Sequence, residues 1–115
     1  MVNKIVVGAH YGLKDWLGQR ITAAFMAAYT VIFAVLLAGQ PDLNYETWRA
    51  FMSGGFMRFL TFLFILSLTF HAWVGVRDIW MDYVKPTGVR LALHVLTLLA
   101  LVGYTGWAVS ILWRL

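Results

Sequence analysis

The sequence predicts an all-α membrane protein with three transmembrane helices, and three observations carry that expectation. Of 115 residues, 62% are hydrophobic and only 12% charged, with a mean hydropathy of +0.77. A soluble domain carries about 25% charged residues. Three stretches without a single Asp, Glu, Lys or Arg run from Ile21 to Gly39, Phe59 to Val76 and Leu91 to Trp113. Each matches the roughly 17–25 residues that a helix needs to cross a bilayer. Charges and helix breakers mark the borders: Arg20, Pro41 and Asp42, Arg58 and Arg77, Arg90 and Arg114. The whole chain, 1–115, reads as one membrane-anchor domain with spans at about 21–39, 59–76 and 91–113.

The first twenty residues are polar and mixed, and the first apolar run is too long for a signal-peptide core. Gly8 to Gln19 contains Tyr11, Leu13, Trp16 and Leu17, and is expected to lie along the membrane interface ahead of the first span. Between the first two spans, Asn44 is placed to cap a short helix running to Met52 and ended by Ser53-Gly54-Gly55. Trp48 and Phe51 would rest that helix on the headgroups, while Trp107 and Trp113 anchor the end of the third span. Pro86 disfavours helical geometry at Lys85 and ends the second long helix there.

Three spans put the termini on opposite sides. With a cytoplasmic N-terminus, Lys4, Lys14, Arg20, Arg77, Lys85 and Arg90 lie inside, and Arg49, Arg58 and Arg114 outside. The positive-inside rule then predicts a cytoplasmic N-terminus and a periplasmic C-terminus. The net charge of +4 comes from cations scattered at span borders, not clustered on a soluble face, so no nucleic-acid partner is expected. Without cysteine, this chain supplies no Cys-ligated zinc or iron–sulfur cluster and no thiol nucleophile. A bundle of only three spans hints at partner subunits or a cofactor.

His71 is the main chemical clue. It lies inside the second span, six residues before Arg77 and so about 9 Å from the border. Ionisable groups at such depth are costly and mark function. Ser67, His71 and Gly75 recur every fourth residue and line one helix face, leaving room for a flat, bulky group against the backbone. Such an imidazole suits an axial ligand of haem iron, while a neutral histidine hydrogen-bonded between helices is the plainer account. A second haem ligand would come from His94, the other histidine inside a span, or from another subunit.

Asp78 and Asp82 continue the His71 face into the end of that helix, where carboxylates oppose both each other and the helix dipole. A cationic partner or a function is expected to accompany them. Tyr83 and Asp82 stand in the last turn, at membrane-surface depth. There a phenol can donate a hydrogen bond to a carbonyl arriving from the lipid, and a carboxylate can orient it or pass protons. An interfacial tyrosine beside a solvated aspartate is the plainer account. Arg20, with Lys14 nearby, can meet haem propionates or simply serve as a positive-inside residue.

Taken together, Arg20-x-Thr22-Ala23, His71-Ala72-Trp73-x-Gly75 and Asp82-Tyr83-Val84-Lys85-Pro86 resemble the small membrane-anchor subunits, of the cytochrome b556 D type, of bacterial succinate dehydrogenase (complex II). The resemblance covers nearly the whole chain, and the eleven-residue offset from His71 to Asp82 is its most specific part. It implies an anchor in the bacterial inner (cytoplasmic) membrane, packed with a second, larger cytochrome b anchor subunit. The two would dock the flavoprotein and iron–sulfur subunits, and electrons would pass from succinate to ubiquinone. It implies haem b shared between the anchors, with His71 as this chain's iron ligand and a histidine of the larger anchor opposite, so that His94 is not required. It further implies Arg20 near the propionates, and Tyr83, with Asp82 beside it, hydrogen-bonded to a carbonyl of ubiquinone, the substrate. A fumarate reductase-type anchor and a non-redox membrane scaffold are the competing readings. The scaffold reading is weakened by the lack of proline within any span and of internal repeats.

Overall fold

A computed structural model of the chain describes residues 11–115. It contains four helices: α1 (Tyr11–Ala38), α2 (Tyr45–Ser53), α3 (Gly55–Tyr83) and α4 (Thr87–Arg114). The three long ones are each apolar and long enough to cross a membrane. At 1.5 Å per residue, 28 residues extend about 42 Å, well beyond a hydrocarbon core of about 30 Å. Each helix therefore outruns its apolar stretch. Hydropathy reports where lipid meets side chains, whereas a helix continues until its backbone ladder is interrupted.

That difference overturns one expectation. The segment ahead of the first span does not form a separate interfacial element; from Tyr11 onward it is the first part of α1. No Pro separates it from Ile21, and Asp15, the one good capping residue there, turns its carboxylate to Arg77, so the backbone ladder runs through. Residues Gly8 to His10 lie outside the described residues, as does Lys4.

The breakers act where they were expected. α1 stops at Ala38, just before the Gly39–Pro41 segment. Asn44 caps α2: its side chain accepts from Thr47 N at 3.0 Å, and the Thr47 hydroxyl in turn accepts from Asn44 N at 2.9 Å. Gly54 alone separates α2 from α3, with extended backbone at φ −60° and ψ 141°. At the far end of α3, Val84 is extended, its N–H still donates to the Trp80 carbonyl at 3.0 Å, and Pro86 precedes α4. The Arg90 side chain donates to the Val84 carbonyl at 3.1 Å and ties this corner.

α3 is the central helix. α1 and α4 each pack along it and do not approach one another. Tyr29, Met52, Met57, Val74 and Leu112 are buried, and most of the remaining apolar surface is exposed, as suits helices whose solvent is lipid. Four of those five gather at the α2 end, around Tyr29, Met52, Met57 and Leu112. Tyr29 stacks on Phe64 at 4.5 Å and its hydroxyl meets that of Thr61 at 2.7 Å. Trp48 and Phe51 do not simply rest on headgroups. Both turn their rings edge-on to Phe33 of α1, at 6.0 and 5.7 Å, and Met52 goes into the core. The intramolecular aromatic surface of α1 competes successfully with the interface for those rings. Trp113 packs edge-on against Phe62 at 5.4 Å, while Trp107 remains 65% exposed.

Candidate functional site

The other end of the α1–α3 pair, where α1 begins and α3 ends, is polar and open. His71 sits in α3 and faces α1, where its Nδ1 lies 3.1 Å from Thr22 Oγ1. Thr22 Oγ1 is also 2.7 Å from the Gly18 carbonyl and 3.2 Å from that of Gln19, within its own helix. Gly18 and Thr22 are one turn apart and share the α1 face turned to α3. A Cβ at Gly18 would stand 2.7 Å from the Phe70 ring, so the missing side chain is what admits that ring beside the Thr22–His71 contact.

One turn beyond His71, a Cβ on Gly75 would meet only the Gln19 amide, at 3.7 Å. The Gln19 carbonyl oxygen (Oε1) is buried without a hydrogen-bond partner. Gln19, Arg20, Asp15 and Trp16 of α1 face Val74, Arg77 and Asp78 of α3 across an open groove of about 860 Å³. Arg77 bridges the helices through an ion pair with Asp15, and also reaches Asp78 Oδ1 at 3.2 Å. This supplies the cationic partner that Asp78 called for. It also gives Arg77 a role beyond its topological charge. Asp15 is the only acid before Asp42, which is the one sign of this pairing that the sequence carries.

Arg20 lies on the groove wall with its guanidinium 5.4 Å from the centre of the Trp16 ring, one helical turn before it. Among the described residues, the ion pairs do not include Arg20. Lys14 is exposed and does not line the groove. Asp82 and Tyr83 close α3; Asp82 is exposed and Tyr83 is 80% exposed. Eleven residues are three turns, so Asp82 stands on nearly the same helix face as His71, about 16 Å further along. Tyr83 points about 100° away from Asp82, and neither lines the Arg20 groove. The fold thus brings His71, Gly75 and Arg20 to one end of the α1–α3 pair and leaves Asp82 and Tyr83 at its rim.

His94 belongs elsewhere. Its ring meets Trp73 edge-on at 5.9 Å, and its Nε2 is buried with no partner. Trp73 shares the α4-facing side of α3 with Trp80, whose indole N–H donates to Thr97 Oγ1 at 2.9 Å, and Thr69, whose hydroxyl meets that of Thr105 at 2.6 Å. That side is roughly opposite the direction of His71. The two span histidines therefore do not face one another, and among the described residues no second imidazole joins His71.

The residues fit one half of such a site. His71 is partly exposed, its Nδ1 is engaged by Thr22, and among the described residues Nε2 makes no hydrogen bond. No three His, Cys, Asp or Glu side chains among the described residues converge to hold a metal by themselves. A macrocycle bringing its own four nitrogens is the type of group that a single imidazole suits.

Comparison with known proteins gives the family. Residues 3–112 match the family model described as succinate dehydrogenase/fumarate reductase transmembrane subunit. The chain is 42% identical over 102 residues, 89% of each chain, to a protein of Coxiella burnetii (strain RSA 493 / Nine Mile phase I) named succinate dehydrogenase hydrophobic membrane anchor subunit. With three helices long and apolar enough to cross a membrane and a match over nearly its whole length, this multi-pass membrane chain belongs to the succinate dehydrogenase/fumarate reductase transmembrane subunit family.

Proposed function

We propose that this chain is the small anchor of a succinate:ubiquinone oxidoreductase in a bacterial inner membrane, with its N-terminus cytoplasmic and its C-terminus periplasmic. The observation that carries the reading is His71: Nδ1 is engaged by Thr22, Nε2 has no hydrogen-bond partner among the described residues, and Arg20 lines the open groove at the same end of the α1–α3 pair. Its natural complement is haem b, held between His71 and a histidine of a larger cytochrome b anchor subunit. When bound, haem would supply a one-electron carrier.

The chain's own residues do the rest. His71 would hold the iron, and Arg20, on the groove wall, would pair with the propionates. Tyr83 donates a hydrogen bond to a ubiquinone carbonyl, which orients the ring at the membrane surface. Quinone reduction consumes two electrons and two protons. Asp82, exposed in the last turn beside Tyr83, can take protons from the aqueous side and hold them at its carboxylate. The large exposure of Tyr83 suits a site closed by partners, here the larger anchor and the iron–sulfur subunit, which receives electrons from the flavoprotein subunit.

The test is a reduced-minus-oxidised spectrum of the complex solubilised from native membranes. A b-type signal is expected, lost or shifted in His71→Ala. Tyr83→Phe is expected to lower succinate–quinone turnover at least tenfold, on the order of one lost hydrogen bond to a reacting group, with the haem spectrum unchanged. Unchanged turnover would remove Tyr83 from the quinone site. A fumarate reductase-type anchor is the second reading, because the matching family includes both enzymes. The ratio of quinol–fumarate to succinate–quinone rates separates the two, and the name of the Coxiella relative favours succinate oxidation.

A further inference from the structure

We infer that Thr22 is a positioning residue for the iron ligand: its hydroxyl accepts the Nδ1 proton of His71 and so keeps the Nε2 lone pair free for iron. This rests on the haem reading of His71 above. Thr22 has one hydroxyl hydrogen and three neighbours within hydrogen-bond distance: the Gly18 carbonyl at 2.7 Å, the Gln19 carbonyl at 3.2 Å and His71 Nδ1 at 3.1 Å. Both carbonyls can only accept, and the Gly18 contact is the shortest. The hydroxyl hydrogen therefore goes to Gly18, and the lone pair of Thr22 Oγ1 is directed at His71. An oxygen that accepts requires a donor opposite, so Nδ1 carries the proton. Neutral imidazole has only one, and Nε2 is left as the acceptor.

The same chain of bonds does more than choose a tautomer. A hydroxyl that donates to a carbonyl becomes a better acceptor, so the Gly18 carbonyl strengthens the pull on the Nδ1 proton. This pull orients the ring and raises its basicity toward a metal, which is the usual task of the residue behind a histidine ligand. The rotation of Thr22 is constrained in turn, because its helix fixes both carbonyls. Gly18 thus contributes twice to the site: its backbone oxygen takes the hydroxyl proton, and its missing Cβ leaves room for Phe70, the neighbour of His71.

The experiment uses the assembled complex from native membranes, with Thr22→Val, which keeps the side-chain shape without the hydroxyl, and Thr22→Ser, which keeps the hydroxyl. The readouts are haem retention against a competing haem acceptor, the haem midpoint potential, and the low-spin electron paramagnetic resonance signature of the ferric state. Thr22→Val is expected to weaken haem binding about 10- to 100-fold, raise the midpoint potential because a less basic ligand stabilises ferric iron less, and alter the resonance signature. Thr22→Ser is expected to restore all three. If Thr22→Val does not assemble, Thr22→Ala removes the same hydroxyl with less bulk and is judged by the same criteria. Wild-type affinity, potential and signature in an assembled hydroxyl-free variant would overturn the inference while leaving His71 as ligand. Haem that persists unchanged in His71→Ala would instead overturn the haem reading, and the inference with it.

Discussion

The two ends of this helix bundle are built on opposite plans. At the α2 end, Tyr29, Met52, Met57 and Leu112 close over one another, and Phe33, Trp48 and Phe51 complete an aromatic cluster. At the other end, the Arg77–Asp15 ion pair and the Thr22–His71 hydrogen bond join α1 and α3 beside an open groove, and among the described residues there only Val74 is fully buried. The first end satisfies itself; at the second, among the described residues, His71 Nε2, the Arg20 guanidinium and the Tyr83 phenol make no hydrogen bond or ion pair. Packing stability and chemistry are thus separated along the membrane normal, so a partner or cofactor can be accommodated at one end without loosening the other.

This contrast can be broken from either side. The largest effect is expected from His71→Ala, which should remove the b-type spectrum of the assembled complex and leave the α2 end intact. Met52→Ala should do the converse. It should destabilise the bundle by about 2–4 kcal/mol, the range for truncating a buried methionine, measured by denaturant unfolding of the purified complex, with the haem spectrum preserved while the complex remains folded. Asp15→Asn should weaken the α1–α3 clamp by about 1 kcal/mol, since both partners are partly solvated. It should loosen Arg77, detected as faster cleavage by protease near the start of α1. Tyr29→Phe, which loses only the hydrogen bond to Thr61, should cost about 0.6 kcal/mol, the average for a polar contact between membrane helices. An equally large loss from Tyr29→Phe and Met52→Ala would show that the α2 end is held by polar contacts and not by packing.

Much of this was legible from local sequence. The three spans, the Asn44 cap and the break at Pro86 are local matters, decided by side-chain transfer to lipid and by backbone hydrogen bonds over a few residues. His71 was legible for the same reason, since an imidazole within an apolar run stands out whatever surrounds it. Helix ends were less so: α1 extends back to Tyr11 because charge at a bilayer surface does not interrupt a helix. Trp48 and Phe51 show the limit of residue-type rules, because an aromatic ring suits the interface and a neighbouring helix about equally until the neighbour is known.

The membrane class, the number of spans and the available chemistry thus follow from residue type and near-neighbour spacing alone. Which groups meet is a matter of tertiary packing. That packing placed Thr22 behind His71, 49 residues away, and Asp15 on Arg77, 62 residues away. It also sent His94 to the far side of α3 beside Trp73. Those pairings depend on how two helices rotate and slide against each other, and the small residues that permit it, Gly18 above all, leave little local trace of what they will touch.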